Sequence, residues 1–366
     1  MAEAIDSHFS ASYAEARSKF LAAVRERSIP VESLVHPEKG RDGEELAMDV
    51  AREGDPNAQR VLILSSGCHG VEGYCGSGVQ LATLHDEEPR RRAREAGVAL
   101  LYIHALNPYG FSHVRRVTHE NVDINRNFHD FSRPLPRNPA YAEIHPWLVP
   151  AQWPPTQENE AALMKFVAER GQAAYQAAVS GGQHEFPDGL FFGGTAPTWS
   201  NRQLREVLRA HGRRAARIAW IDIHTGLGPS GVGERIYAGV DDAATVARAR
   251  KWWDGGGRTP VTSIFDGSST SAFLTGLMWN SVYDECPQSE YTGIAMEYGT
   301  VPVMQTVNAL RAEQWLHTHP GAPPEIARQI KQQMMDAFYT DTHEWKEAVL
   351  VQAREALLQA IEGLAA

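Results

Sequence analysis

The feature that most constrains this chain is a set of near-continuous apolar runs, each ending in polar residues and glycine. Val61-Leu62-Ile63-Leu64 leads into Ser65-Ser66-Gly67-Cys68, and His69-Gly70-Val71-Glu72 follows at once. Residues 98–105, 217–223 and 294–298 are further runs of the same kind. A strand that is apolar at every position is buried on both faces, so its sheet is covered on both sides. Helical periodicity lies between the runs, over residues 13–27, 77–85, 158–179 and 201–211, in a helix ending at Trp253, and from Val303 onward. Residues 31–35 and 45–51 flank a Gly40/Gly43 turn and predict a hairpin. Residues 235–240 predict one more strand. This alternation gives an α/β fold, with helices on both faces of a mostly parallel sheet. No repeat or linker divides it, so residues 1–366 form one domain, with a helix and hairpin (1–55) and C-terminal helices (303–366) packed on it. The proline- and aromatic-rich stretch 128–155 and the glycine-rich stretch 181–194 are too long for connectors and are expected to line or cover a site.

Composition removes several classes of function. The 366 residues carry a formal charge of −10 with no basic run, which argues against nucleic acid. No apolar stretch approaches the roughly 20 residues that cross a bilayer. Three cysteines, Cys68, Cys75 and Cys286, are an odd and sparse set that fits a reducing compartment. The first six residues have neither a basic nor an apolar segment of a signal peptide, so a cytoplasmic protein is expected.

Ligands of open α/β sheets bind beyond the carboxyl ends of the strands. After the first run come His69 and Glu72, three apart on a glycine turn, which suits two ligands of a catalytic zinc and calls for a third. After 98–105 come Asn107-Pro108-Tyr109-Gly110, Arg115-Arg116 and Asp123-Ile124-Asn125-Arg126-Asn127-Phe128. After the third run come Asp222-Ile223-His224-Thr225, and the fourth carries Glu297-Tyr298-Gly299.

In this order, over positions 60 to 300, the series resembles the zinc carboxypeptidase superfamily. That group includes carboxypeptidase A-like peptidases and deacylases of the aspartoacylase and succinylglutamate desuccinylase type. The resemblance implies a mixed, eight-stranded sheet and one zinc ion (Zn2+). His69, Glu72 and His224 form an N, O, N set that leaves a fourth position open, as a hydrolytic zinc needs. Glu297 is then the general base and later the proton donor. Asp222, two residues before His224 on one strand face, is placed to orient an imidazole. Arg116 is assigned to the oxyanion, with Arg115 as its rival. Asn125 and Arg126 are assigned as the clamp for a substrate carboxylate. Digestive-type carboxypeptidases carry a tyrosine some twenty residues before the catalytic Glu; the matching stretch here, Ser271-Ala272-Phe273-Leu274-Thr275-Gly276, has Phe273.

The expected activity is zinc-dependent hydrolysis of an amide or peptide bond next to a free carboxylate, in a small molecule or peptide. The alternative within the class is an N-acyl-amino-acid deacylase, which Phe273 and the Asp222-Ile223-His224-Thr225 string favour. A silent binding module is disfavoured by the intact His69, Glu72, His224 and Glu297. A structural zinc is disfavoured because such sites are closed by four ligands, mostly cysteine. The plainer readings are a helix-capping turn for His69 and Glu72, a satisfied buried histidine for His224, core or loop ion pairs for Glu297, Asn125 and Arg126, and a solvated charge for Arg116. Cys68 and Cys75 read as small buried residues. The C-terminal Leu350, Leu357, Leu358, Ile361 and Leu364 serve either the core or a contact between copies in a homo-oligomer.

Overall fold

The apolar runs form the centre of an eight-stranded mixed sheet in the computed structural model, which describes residues 5–254 and 260–366. Residues 1–4, on which the expectation of no signal peptide partly rests, lie outside the described residues. β1 (Val31–Lys39) and β2 (Glu45–Glu53) make the expected antiparallel hairpin. Next in space come four parallel strands, β4 (Val98–His104), β3 (Arg60–Ser65), β5 (Arg217–Ser230) and β8 (Glu290–Gly299). β6 (Gly233–Tyr237) runs antiparallel to β8, and β7 (Val261–Thr262) pairs with β6 at the edge.

Alternation along the buried strands explains the two helical layers. Leu62, Leu64, Leu100 and Tyr102 face one apolar core, while Val61, Ile63, Leu101 and Ile103 face the other. The first core receives α1 (Tyr13–Glu26), α2 (Gly73–His85), α3 (Glu87–Glu95) and α4 (Pro108–Ser112). It also receives α5 (Pro139–Leu148), α6 (Gln157–Arg170) and α7 (Gln172–Ser180). The second receives α8 (Trp199–His211) and α10 (Ser281–Glu285). α9 (Ala243–Trp253), α11 (Val303–Thr318), α12 (Pro324–Phe338) and α13 (His343–Ala365) complete the first layer. Leu357, Ile361 and Leu364 are buried in that core, so these three are occupied within the chain.

Two segments differ from the sequence reading. The helix expected over 158–179 is two helices, because Gly171 takes φ +87°, a left-handed value that ends α6. The stretch 128–155 contains α5, whose N-cap Asn138 accepts from the Tyr141 N–H and whose Tyr141, Ile144 and Leu148 are buried. Pro139 and Pro146 hide this helix from a periodicity argument, although proline is well placed in a first turn.

An ion trio around the buried Glu313 ties the C-terminal helices to the segment beneath the candidate site. Glu313 of α11 accepts from Arg115 Nε and from Lys331 Nζ of α12, each at 2.8 Å. Burial pushes the Glu313 carboxyl up, but Arg115 and Lys331 outweigh it and hold it at about 2, below the ordinary 4.5. A depressed carboxyl stabilises the fold fully above the unfolded value, and this contribution is lost as pH falls through the folded one. The melting temperature is therefore expected to fall between pH 4.5 and 2, and Glu313→Gln should flatten that part of a Tm-against-pH curve. An unchanged slope in the variant would remove the trio as its cause.

Candidate metal centre and active-site cavity

The turn after β3 is fixed by backbone bonds before any side chain acts. The Gly70 N–H donates to the Arg116 carbonyl at 3.0 Å and the Val71 N–H to that of Arg115 at 2.8 Å. Asn107 caps α4 by accepting from the Gly110 N–H at 2.9 Å, and its Nδ2 donates to the Arg116 carbonyl at 3.2 Å. A Cβ on Gly70 would lie 2.0 Å from the Gly110 carbonyl carbon, so only glycine admits this approach. Asn107-Pro108-Tyr109-Gly110 is thus the bracket that holds His69 and Glu72 against the Arg115–Arg116 segment.

The three expected ligands converge. One donor atom from each of His69, Glu72 and His224 lies within 4.8 Å of the others. Glu72 Oε1 is 2.9 Å from His69 Nδ1, and Oε2 is 3.0 Å from His224 Nδ1. Both imidazoles thus turn Nδ1 to the centre and Nε2 outward, where each meets its own carboxylate. His69 Nε2 is 3.2 Å from Asp123 Oδ1, and His224 Nε2 is bonded to Asp222 Oδ2. Asp222 also accepts from Ser65 Oγ at 2.5 Å, and Ser65 Oγ accepts from Trp220 Nε1 at 2.6 Å. A proton fixed on Nε2 leaves Nδ1 as a metal-binding lone pair, which is the usual arrangement of zinc histidines. This donor set fits a zinc ion.

Charge is balanced closely here. Burial would raise the Glu72 carboxyl, but His69 and His224 outweigh it and hold it below the usual range. Asp123 is likewise held low, against burial, by Arg116, His69 and Arg126. Burial would lower His224, but Asp222 and Glu72 raise it well above an ordinary histidine. A second trio, Cys68, Asp222 and His224, is also close enough for a metal. Its Asp222 is already bonded to His224 Nε2, and burial followed by the Asp222 charge pushes the Cys68 thiol up. A protonated thiol is a poor ligand.

Register places Glu297 opposite His224 on the neighbouring strand. Its Oε1 accepts from the Leu227 N–H at 3.1 Å. Burial, then the Glu72 charge, pushes its carboxyl up to about 8. Arg116 and Arg115 part company. Arg115 is turned to Glu313 and to Asn121 Oδ1 (2.9 Å), away from the centre. Arg116 lines the cavity, donating to Asp123 Oδ2 at 3.0 Å and Glu72 Oε1 at 3.2 Å. Its Nη2 also lies 2.7 Å from His69 Nε2; in the tautomer that frees Nδ1 for metal, Arg116 holds its place through the two carboxylates alone. Asn125 Oδ1 accepts from the Met278 N–H at 3.0 Å, which turns Nδ2 the other way. Arg126 spends three donors on the Ser180 and Asn125 carbonyls, so two of its five N–H groups are left for a ligand.

His69, Arg116, Asn125, Arg126, His224 and Glu297 all line one cavity of about 120 Å³, with Glu72 buried behind them. Sequence reasoning gave Asp123 no role, although it stands inside the Asp123-Ile124-Asn125-Arg126 string. It also named neither Phe191, whose ring lies 4.9 Å from the Arg116 guanidinium, nor the residues of α7 and α11 that line the cavity. Phe191 does lie in the stretch expected to face the site. The stretch 128–155 contributes nothing to the cavity lining, contrary to expectation. Phe273 is 60% exposed and is not among the lining residues, whereas Ser271, Ala272 and Leu274 are. Replacing Asp123 by Asn should weaken zinc affinity about 10- to 100-fold, measured by competition with a chelator. Unchanged affinity would reduce Asp123 to a loop anchor.

No curated protein matches the chain. Among solved structures, bovine thrombin-activatable fibrinolysis inhibitor, in complex with tick carboxypeptidase inhibitor, is similar at TM-score 0.50 and 11% identity, over 97% of each chain. A metallo-carboxypeptidase from Burkholderia cenocepacia gives TM-score 0.42 and 10% identity, over 94% of this chain and 68% of that one. Identities this low speak to fold rather than to reaction. A family model described as "Protein of unknown function (DUF2817)" matches residues 9–352. The chain belongs to that family, and its fold is similar to that of bovine thrombin-activatable fibrinolysis inhibitor, a carboxypeptidase-like fold.

Proposed function

We propose that the protein is a zinc-dependent hydrolase that cleaves an amide or peptide bond next to a free carboxylate. One observation carries this reading: two imidazole Nδ1 atoms and one carboxylate meet at a cavity wall, each imidazole is backed by its own aspartate, and Glu297 stands beside them. His69, Glu72 and His224 would hold the ion. A zinc ion bound there supplies Lewis acidity toward the scissile carbonyl and a bound water of lowered pKa. Glu297 takes a proton from the attacking water at its carboxylate and passes it to the leaving nitrogen. Arg116 presents its guanidinium where negative charge develops on the carbonyl oxygen. Asn125 Nδ2 and the remaining Arg126 donors bind the substrate carboxylate.

Phe273 favours the deacylase form over C-terminal trimming of peptides, because it brings no phenol to the cavity. The free thiols Cys68, Cys75 and Cys286 support the cytoplasm as its place of action. No helix among the described residues is long and apolar enough to cross a membrane.

Metal analysis together with hydrolysis of N-acyl amino acids and dipeptides tests the reading. One zinc per chain with turnover is the expected result, and a chain that binds zinc with no turnover on any carboxylate-bearing amide refutes it. Changing Arg126 to Ala should raise KM most for substrates with a free carboxylate, on the order of 10-fold or more for a lost charged hydrogen bond. An equal effect on the amidated analogues would remove the clamp.

A further inference from the structure

The lining of the cavity limits the substituents that fit beside the proposed metal centre. Two parts of the apolar lining fall on either side of Glu297 along β8, and α7 adds the polar Gln172 and Gln176, with Gln172 Nε2 3.9 Å from Met304 Sδ. On one side, Ala295 lies two residues before Glu297 on the same strand face, about 6–7 Å back. It pairs with Ile236, and Ile264, Leu277 and Trp279 extend the wall. Asn125 is bonded to Met278, between Leu277 and Trp279, so the Asn125 half of the carboxylate clamp belongs to this wall, while Arg126 is anchored to the Ser180 carbonyl of α7. On the other side the chain leaves β8 at Gly299 and enters α11, which brings Val303, Met304, Val307 and Leu310 to the cavity. Leu227 and Phe338 complete that second wall. Val303 and Met304 remain 39% and 41% exposed, apolar surface left uncovered at the edge of a polar centre.

The charged and imidazole groups lining the cavity are His69, Arg116, Arg126, His224 and Glu297, and every one already has a task. Among the described residues, the second wall offers no cation for a dicarboxylate acyl group. It offers no carboxylate for the ammonium of a dipeptide either, apart from Glu297 itself. We propose that the substrate is an N-acyl amino acid whose acyl group is an unbranched aliphatic chain seated on the α11 wall. Its amino-acid side chain is apolar and sits against Ile236, Leu277 and Trp279. This deepens the hydrolase reading and rests on it for the position of the scissile bond.

The test uses the zinc-loaded protein and a series of N-acetyl-, N-butanoyl- and N-hexanoyl-leucine, with N-succinyl-leucine and N-hexanoyl-aspartate as controls. The expected result is a kcat/KM that rises about fourfold for each methylene placed on the wall, with both controls below N-hexanoyl-leucine. Met304→Glu should flatten that rise. Binding of the same series to Glu297→Gln protein, by calorimetry, should show the same order without turnover. A flat series, or a preference for N-succinyl-leucine, overturns the proposal. If wild-type protein turns over neither the series nor a panel of dipeptides, yet binding still strengthens with chain length, the hydrolase reading falls and the apolar ligand class stands. Absence of that order in the binding series removes the ligand class as well.

Discussion

Glu297→Gln is expected to keep one zinc per chain and to lose about 10²- to 10⁴-fold in kcat, the range that a positioned general base supplies. Glutamine keeps the size of the side chain and its acceptor oxygen for the Leu227 N–H, so packing is preserved. What it loses is the ability to take a proton. The wild-type carboxyl is suited to that task because it is only 9% exposed and because burial and Glu72 raise it to about 8 from the ordinary 4.5. A carboxylate so close to neutrality accepts a proton from water more readily than an exposed glutamate and still returns it. Its base form is lost as pH falls, so kcat/KM should decline on the acidic side. A bound dication lowers the carboxyl, so the midpoint of that limb lies at or below about 8. The variant should lack the limb as well as the rate. Full activity in Glu297→Gln would sink the assignment, whereas loss of zinc in it would move Glu297 into the ligand set.

How much of this was legible in the sequence depends on whether the cause is local. The run Val61–Leu64 lies wholly within β3, because an apolar run closed by Ser65 and Gly67 admits little else. His69 and Glu72 are legible because they follow β3, and His224 and Glu297 because each closes an apolar run at the same level of neighbouring parallel strands. The choice between Arg115 and Arg116 could not be made from adjacent positions. It is decided by Glu313, some two hundred residues away on α11, which draws Arg115 aside. The role of Asp123 leaves no local signal, since its partner His69 is distant in sequence. The α11 wall is invisible for the same reason: Val303 and Met304 look like ordinary helix residues until packing brings them into the lining of the cavity that Glu297 also lines. Local chemistry thus reveals what a strand end carries, and tertiary packing decides what stands opposite it.

Glu72→Ala should remove tight zinc binding altogether and lower activity to that of chelator-treated wild type. The loss in affinity should exceed the 10- to 100-fold expected for a partner aspartate, because Glu72 supplies a donor atom and the only negative charge among the three ligands. The same carboxylate has a second task. It accepts from Arg116 Nη1 at 3.2 Å and the Thr225 N–H at 3.1 Å, and it faces both imidazoles, all in a buried setting. Without it, the Arg116 and His224 charges keep only Asp123 and Asp222 as carboxylate partners, so the cost stays below the about 3–5 kcal/mol of a fully stranded buried charge. In a chain of this length each kcal/mol is worth about 2–4 °C or less, so metal-free Glu72→Ala should melt several degrees below metal-free wild type. Comparing the two proteins without metal separates this electrostatic loss from the stabilisation that zinc adds. His224 should then move down toward an ordinary histidine, since one of the two carboxylates that raise it has gone. If Glu72→Ala instead bound one zinc with wild-type affinity, the N, O, N centre would be wrong, and the roles of Glu297 and Arg116 would fall with it.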